Sequence, residues 1–131
     1  MVNFTKKEAV FIKSRPESRV ATISKKGWPQ ISTVLHAFDG KFLYFATDYD
    51  TRKYANLRKN SRIGVAIDVY GRQPKSVLIQ GRAIMLEKGA AFANAYRLLE
   101  GRHAYYRANP FKEGGAPIVK VLPVRKVSAG L

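Results

Sequence analysis

The sequence predicts a mainly β protein, a small antiparallel barrel with α-helices at its periphery. Three observations carry that expectation. Strand-length runs rich in Val, Ile, Thr, Phe and Tyr are joined by the tight-turn residues Lys25-Lys26-Gly27 and Asp39-Gly40, which suit antiparallel neighbours. Helical patterns are inserted among these runs instead of alternating with them, which excludes a doubly wound parallel sheet. Gly81 stands inside the longest run, where a barrel strand bends or bulges to turn a corner.

Taken in order, Thr5-Lys6-Lys7-Glu8 has the capping-box spacing, and Ala9, Val10, Phe11 and Ile12 supply an apolar stripe, so a helix is expected from about Thr5 to Lys13. Arg15-Pro16 ends it, because the residue before proline is pushed out of the helical region. Arg19 to Ser24 and Gln30 to Phe38 then form a hairpin across Lys25-Lys26-Gly27, and Asp39-Gly40 turns the chain into a third strand, Lys41 to Ala46. A short helix from Thr51 to Lys59 puts Tyr54 and Leu57 on one face. The sheet resumes with Arg62 to Val69 and, after a break at Gly71 to Pro74, with Ser76 to Leu86. A helical pattern runs from Gly89 to Leu99, and Arg102 to Phe111 is irregular or weakly helical. A last strand covers Ile118 to Val121 and Val124 to Val127, interrupted at Pro123, a residue that suits an edge or a bulge. Five to seven strands result, in hairpin order.

A chain of 131 residues is long enough to bury a core without staples, and one domain spanning 1–131 is expected. With no cysteine there is no disulfide, thiolate metal site or cysteine nucleophile. The charged N-terminal residues and the lack of a long apolar run lead to the expectation of a cytoplasmic protein without a membrane span. The formal charge of +15 favours anionic company, whether phosphorylated cofactors, nucleic acid or other polyanions. Because the cations are spread from Lys6 to Lys126, they describe a basic folded surface, and nonspecific polyanion binding is expected.

The candidate site is the stretch from Thr47 to Leu57. Its helix opens on Arg52 and Lys53, cations placed where the helix dipole is positive, an arrangement that an anion would offset. Backbone amides, the Thr51 hydroxyl, the Arg52 guanidinium and the Lys53 ammonium would converge on a phosphate. The alternative is a solvated basic turn capped by Asp50 or Thr51. His36 and His103 are the only histidines, too far apart in sequence for a helical metal pair, and His36 reads as a strand residue with a satisfied hydrogen bond. Neither a nucleophile elbow nor a pair of acid–base carboxylates is evident, so any catalysis falls to a cofactor. Arg102-His103-Ala104-Tyr105-Tyr106-Arg107 interleaves cations with aromatics, as base-stacking surfaces do, or else packs its tyrosines beneath a helix with its arginines exposed.

Several of these stretches, in order and spacing, carry a resemblance: Val20 to Pro29, Asp39-Gly40, Tyr44 to Thr47, Thr51-Arg52-Lys53 with Asn56-Leu57, Arg62 to Val65 and Gln80 to Ala83. Together they resemble the pyridoxamine 5'-phosphate oxidase-like family of flavin-binding split barrels. The resemblance implies a six-stranded antiparallel split β-barrel, a homodimer, and FMN in a groove at the dimer interface. It nominates Ser32, Thr33, Val34 and Leu35 along the flavin ring and ribityl chain, Thr47 near the ribityl and phosphate, and Arg52 and Lys53 on the phosphate. Ser76 falls where the partner protomer's contacts arise in relatives.

True pyridoxamine phosphate oxidases carry Arg and Lys at the two ends of the flavin strand, where this chain has Ser32 and His36 or Ala37. The expectation is therefore an FMN-dependent oxidoreductase acting on an unknown small substrate, with reduced nicotinamide or deazaflavin coenzyme as possible donor, rather than a vitamin B6 oxidase. Haem, bound by another branch, is disfavoured because neither histidine matches an axial position. A nucleic-acid-binding basic barrel and a non-catalytic flavin-binding protein are the alternatives.

Overall fold

The computed structural model describes residues 1–131. In chain order the elements are α1 (Lys6–Ser14), β1 (Glu17–Ile23), β2 (Pro29–Phe38), β3 (Leu43–Ala46), α2 (Arg52–Lys59), β4 (Arg62–Val69), β5 (Lys75–Leu86), α3 (Gly89–Arg102), α4 (Ala104–Ala108) and β6 (Ile118–Ala129). The six strands close into an antiparallel barrel in the order β1-β2-β3-β6-β5-β4. Closure leaves each strand with two neighbours and removes free sheet edges.

Local chemistry sets most boundaries. Thr5 caps α1 and Glu8 returns the bond to the Thr5 N–H at 2.8 Å, completing the capping box. Gly27 and Gly40 take positive φ (86° and 100°) in the two hairpin turns, and Asp39 Oδ1 accepts from the Lys41 and Phe42 amides. Several boundaries depart from the sequence expectation: β1 opens at Glu17, β3 at Leu43, and β6 reaches Ala129. α3 runs on to Arg102, and in the stretch expected to be irregular or weakly helical Ala104–Ala108 is a helix, since Tyr106 packs with Phe92, Ala95 and Leu99 into a small apolar cluster beside β3. β6 passes through Pro123 uninterrupted, because the register shift opposite Gly81 absorbs it: Gln80 pairs with Arg125 and Gly81 with Pro123. Pro123 lies beyond the segment of β6 that pairs with β3, which ends at Val121, so its missing N–H costs that ladder nothing.

At this crossing the strands approach closely. A Cβ on Gly81 would lie 2.5 Å from the Leu122 carbonyl oxygen. Gly81→Ala therefore forces backbone apart and is expected to lower stability by about 1–3 kcal/mol. A urea midpoint that falls with unchanged slope is the expected reading; an unchanged midpoint would contradict the close approach.

Inside the barrel, alternate residues of the strands, among them Val20, Val34, Phe45, Val65, Ile67, Val77, Ile79 and Val119, form one core with Phe11 and Ile12 of α1 and Leu57 of α2. The two helices cover opposite ends. At the α1 end, His36 of β2 meets the Ile12 carbonyl (2.9 Å) and Ser18 (3.1 Å). Beyond this end, Lys126 of β6 pairs with the buried Glu8. At the other end, Asn56 of α2 donates to both Thr22 and Gln30 at 3.0 Å.

Candidate functional site

The α2 end of the barrel holds the cations singled out from sequence. Thr51 is the N-cap: its hydroxyl accepts from the Tyr54 amide (3.2 Å), donates to the Asp48 carbonyl (2.8 Å) and meets the Thr47 hydroxyl at 2.9 Å. Capping thus occupies the Thr51 hydroxyl. The ladder of α2 starts with the Ala55 amide bonding to the Thr51 carbonyl, so the Arg52 and Lys53 amides at the helix start have no intrahelical acceptor. No acidic residue stands in this first turn. The helix cannot swing away, since Tyr54 and Leu57 are buried, Tyr54 donates to Glu87 at 3.1 Å and Asn56 is tied to two strands.

Lys53 is half-buried and its ammonium donates to Ser32 Oγ at 2.9 Å. Burial holds its pKa below the usual lysine value, with the charge of nearby Asp48 acting the other way. The protein forms two ion pairs, Arg19–Asp68 and Lys126–Glu8, and Lys53 belongs to neither. A partly desolvated ammonium with a hydroxyl for its partner is an incompletely compensated charge. Arg52 is exposed and faces a groove bounded by the β1–β2 turn.

Sequence reasoning nominated nine residues, and their placement is uneven. Ser32 and Lys53 meet directly, as do Thr47 and Thr51, and Arg52 adjoins them. Thr33 is exposed and Leu35 half-buried on the outward face of β2, while the Val34 side chain lies in the core, leaving only its backbone near that face. Ser76 pairs with Asp68 and Ala129, towards the α1 end of the barrel, so one chain does not bring it to Lys53. Asn56 and Asp48 lie within the stretch singled out from sequence but were not nominated as site residues. Asn56 has a role only through contacts distant in sequence, and an exposed aspartate in a turn has no signal of its own.

Beside Thr47 a cavity of about 220 Å³ is lined by Asp48 together with Tyr105, Tyr106, Asn109 and Phe111. Of the two readings of the aromatic-basic stretch, the packed one holds for Tyr106, which is buried, with Arg102 and Arg107 exposed. Tyr105 is 58% exposed and remains at the cavity mouth. Neither histidine reaches this site. His36 is buried with both ring nitrogens hydrogen-bonded, and His103 is buried with Nε2 donating to the His36 carbonyl at 2.6 Å. Burial lowers the pKa of both, against the opposing effect of their carbonyl partners.

The model of one protein family, described as pyridoxamine 5'-phosphate oxidase, matches residues 4–125. The chain belongs to that family. The match spans every element from α1 into β6, so the barrel with α2 across one end is the family's domain. Solved structures agree on the fold. A conserved hypothetical protein of Mycobacterium tuberculosis has a TM-score of 0.83 at 20% identity, over 99% of this chain and 86% of its own. HutZ, the heme storage protein of Vibrio cholerae, has a TM-score of 0.81 at 13% identity, over 96% and 94%. A FAD-binding protein of Mesorhizobium loti has a TM-score of 0.75 at 19% identity, over 95% and 94%. Among curated proteins no match was found. No helix is long and apolar enough to cross a membrane.

Proposed function

We propose that this member of the pyridoxamine 5'-phosphate oxidase family is an FMN-binding oxidoreductase. The observation that carries the reading is Lys53, a half-buried ammonium held against Ser32 beside the unpaired amides of a helix start, with no carboxylate bonded to it. That donor set suits a phosphate: Lys53 and Arg52 supply charge, and their amides supply directed hydrogen bonds. Ser32 lies under the same point, and the outward positions Thr33 and Leu35 offer a polar and an apolar surface to the rest of the flavin. When bound, the flavin supplies the electron or hydride transfer that no side-chain set here provides. The chain's own residues bind and orient it, and the cavity beside Thr47 offers Asp48, Asn109 and the tyrosine hydroxyls to a small redox substrate or to a reduced nicotinamide or deazaflavin donor.

Two of the similar folds point to different cofactors, since HutZ is a heme storage protein and the Mesorhizobium loti protein binds FAD. The engagement of both histidines in buried hydrogen bonds favours flavin. Absorption spectra during addition of FMN and of hemin separate the two. Stopped-flow reduction of the FMN-loaded protein by NADH, NADPH and reduced deazaflavin coenzyme then tests catalysis. Reduction no faster than that of free FMN with every donor would leave a flavin-binding protein without oxidoreductase activity.

The same reading includes a homodimer with the cofactor at its interface. Support comes from the outer sheet face, where Ile31 (69% exposed) of β2 pairs with Ala21 of β1, Gly64 of β4 stands opposite Ala21, and Ala66 of β4 pairs with Leu78 (47%) of β5, which pairs in turn with Val127 (67%) of β6. This apolar strip has no helix over it, and Ser76 shares its face two residues from Leu78. Leu78→Lys combined with Ile31→Lys is expected to convert a dimer to a monomer in sedimentation at micromolar concentration and to weaken FMN binding. Wild-type protein that sediments as a monomer with and without FMN contradicts the shared site.

A further inference from the structure

The groove onto which Arg52 opens continues past the helix start, away from the outward positions Thr33 and Leu35. It measures about 720 Å³ and is lined by Lys25, Lys26 and Trp28 of the β1–β2 turn, Gln30 of β2, and Arg52 and Asn56 of α2. Three cations and no carboxylate line it. Trp28 is 72% exposed on a turn whose backbone is fixed: its amide donates to Ser24 Oγ (3.1 Å), its carbonyl accepts from the Ser24 amide (2.8 Å), and Gly27 closes the turn with its amide on the Ser24 carbonyl (2.9 Å). An indole held in the open by an ordered turn, next to ammonium groups and a side-chain amide, offers an aromatic base a stacking face and its phosphate a charged cradle. The volume falls within the range of nucleotide-sized sites.

We propose that this groove is a subsite for an adenine nucleotide joined to the flavin phosphate, so that the protein prefers FAD to FMN. The inference rests on the flavin reading above, with the flavin half of the molecule placed as proposed there. Lys53 and the helix-start amides take the phosphate nearer the flavin. Arg52, which borders both sites, stands between the two phosphates, Lys25 and Lys26 take the second, Trp28 stacks on the adenine, and Gln30 offers its amide to the base edge.

Trp28 is the chain's single tryptophan, so with ADP, which does not absorb its emission, its fluorescence reports on this groove. The protein is titrated with FMN, FAD and ADP, following flavin absorbance and Trp28 emission. FAD is expected to bind at least about tenfold more tightly than FMN, the scale of one stacked base, and ADP is expected to quench Trp28 and to compete with FAD. Trp28→Ala should bring FAD affinity down to that of FMN and leave FMN affinity unchanged, while Trp28→Phe should keep most of the preference. Equal affinity for FMN and FAD in the wild type, or an FAD affinity indifferent to Trp28→Ala, overturns the proposal and leaves the FMN reading standing. Quenching by an oligonucleotide at physiological salt but not by ADP overturns it in favour of nucleic acid. Failure of both flavins to bind overturns the flavin reading itself.

Discussion

Removal of both cations at the start of α2, in Arg52→Ala with Lys53→Met, is expected to weaken FMN binding by about two to four orders of magnitude. Each charge-assisted hydrogen bond to a phosphate is worth roughly 1.5–3 kcal/mol, and the two together give that range. Lys53 should account for most of it, because it is half-buried and fixed against Ser32, whereas Arg52 is exposed and screened by solvent. The stability of the ligand-free protein should move the opposite way or not at all. A partly desolvated ammonium outside any ion pair contributes little to folding, so Lys53→Met should leave the melting temperature unchanged or slightly raised. A cation kept for structure would show the reverse: a lower melting temperature with FMN affinity intact. Isothermal titration and thermal melts of the same variants, with and without FMN, distinguish the two. Because burial lowers the pKa of Lys53, phosphate affinity should also begin to fall at a lower alkaline pH than an ordinary lysine would give, and the Lys53→Met variant should lack that limb.

The second large effect lies at the opposite end of the barrel. Burial raises the Glu8 carboxyl, but bonds from Lys126, the Thr5 amide and Ser128 and the charge of Lys126 outweigh it and hold the group at about 2, against an ordinary value of 4.5. A carboxyl whose folded pKa is depressed gives stability that is complete above the unfolded value and is lost as pH falls through the folded one. The depressed value corresponds to a loss of about 1–3 kcal/mol once solvent screening is allowed for, between about pH 5 and pH 2. His36 and His103 act in the same sense at higher pH: burial lowers both, so stability begins to decline as pH drops below 6.5. Urea midpoints measured from pH 7 to pH 3 should show this two-stage loss. Glu8→Gln should be less stable than wild type at pH 7, since it leaves Lys126 without its carboxylate, and should lack the stage below pH 5. A variant with the wild-type acid profile would mean that Glu8 is not the group responsible.

Much of the chain's organisation was decided by residues within a few positions of one another, and was therefore readable without coordinates. The capping box of Thr5 and Glu8, the turns at Gly27 and Asp39-Gly40, the Thr51 cap and the irregularity at Gly81 all appear where local chemistry puts them. The placement of Arg52 and Lys53 at a helix start is of the same kind, since helix polarity and residue order settle it. What needed the tertiary structure depends on partners brought from far along the chain. The barrel closes only because β3 pairs with β6, and β6 passes through Pro123 only because Gly81 lies opposite and lets the backbones approach. Glu8 acquires its low pKa from Lys126, and His36 its burial from α1. The Lys53 ammonium is held by Ser32, and Trp28 faces the same groove as Arg52, because α2 lies across one end of the barrel. By itself the sequence determined where the chain turns, caps and bends, since those outcomes follow from backbone conformations available to single residues. Which charges are buried and which face an open groove was decided by packing, because desolvation depends on the surroundings that the folded barrel supplies.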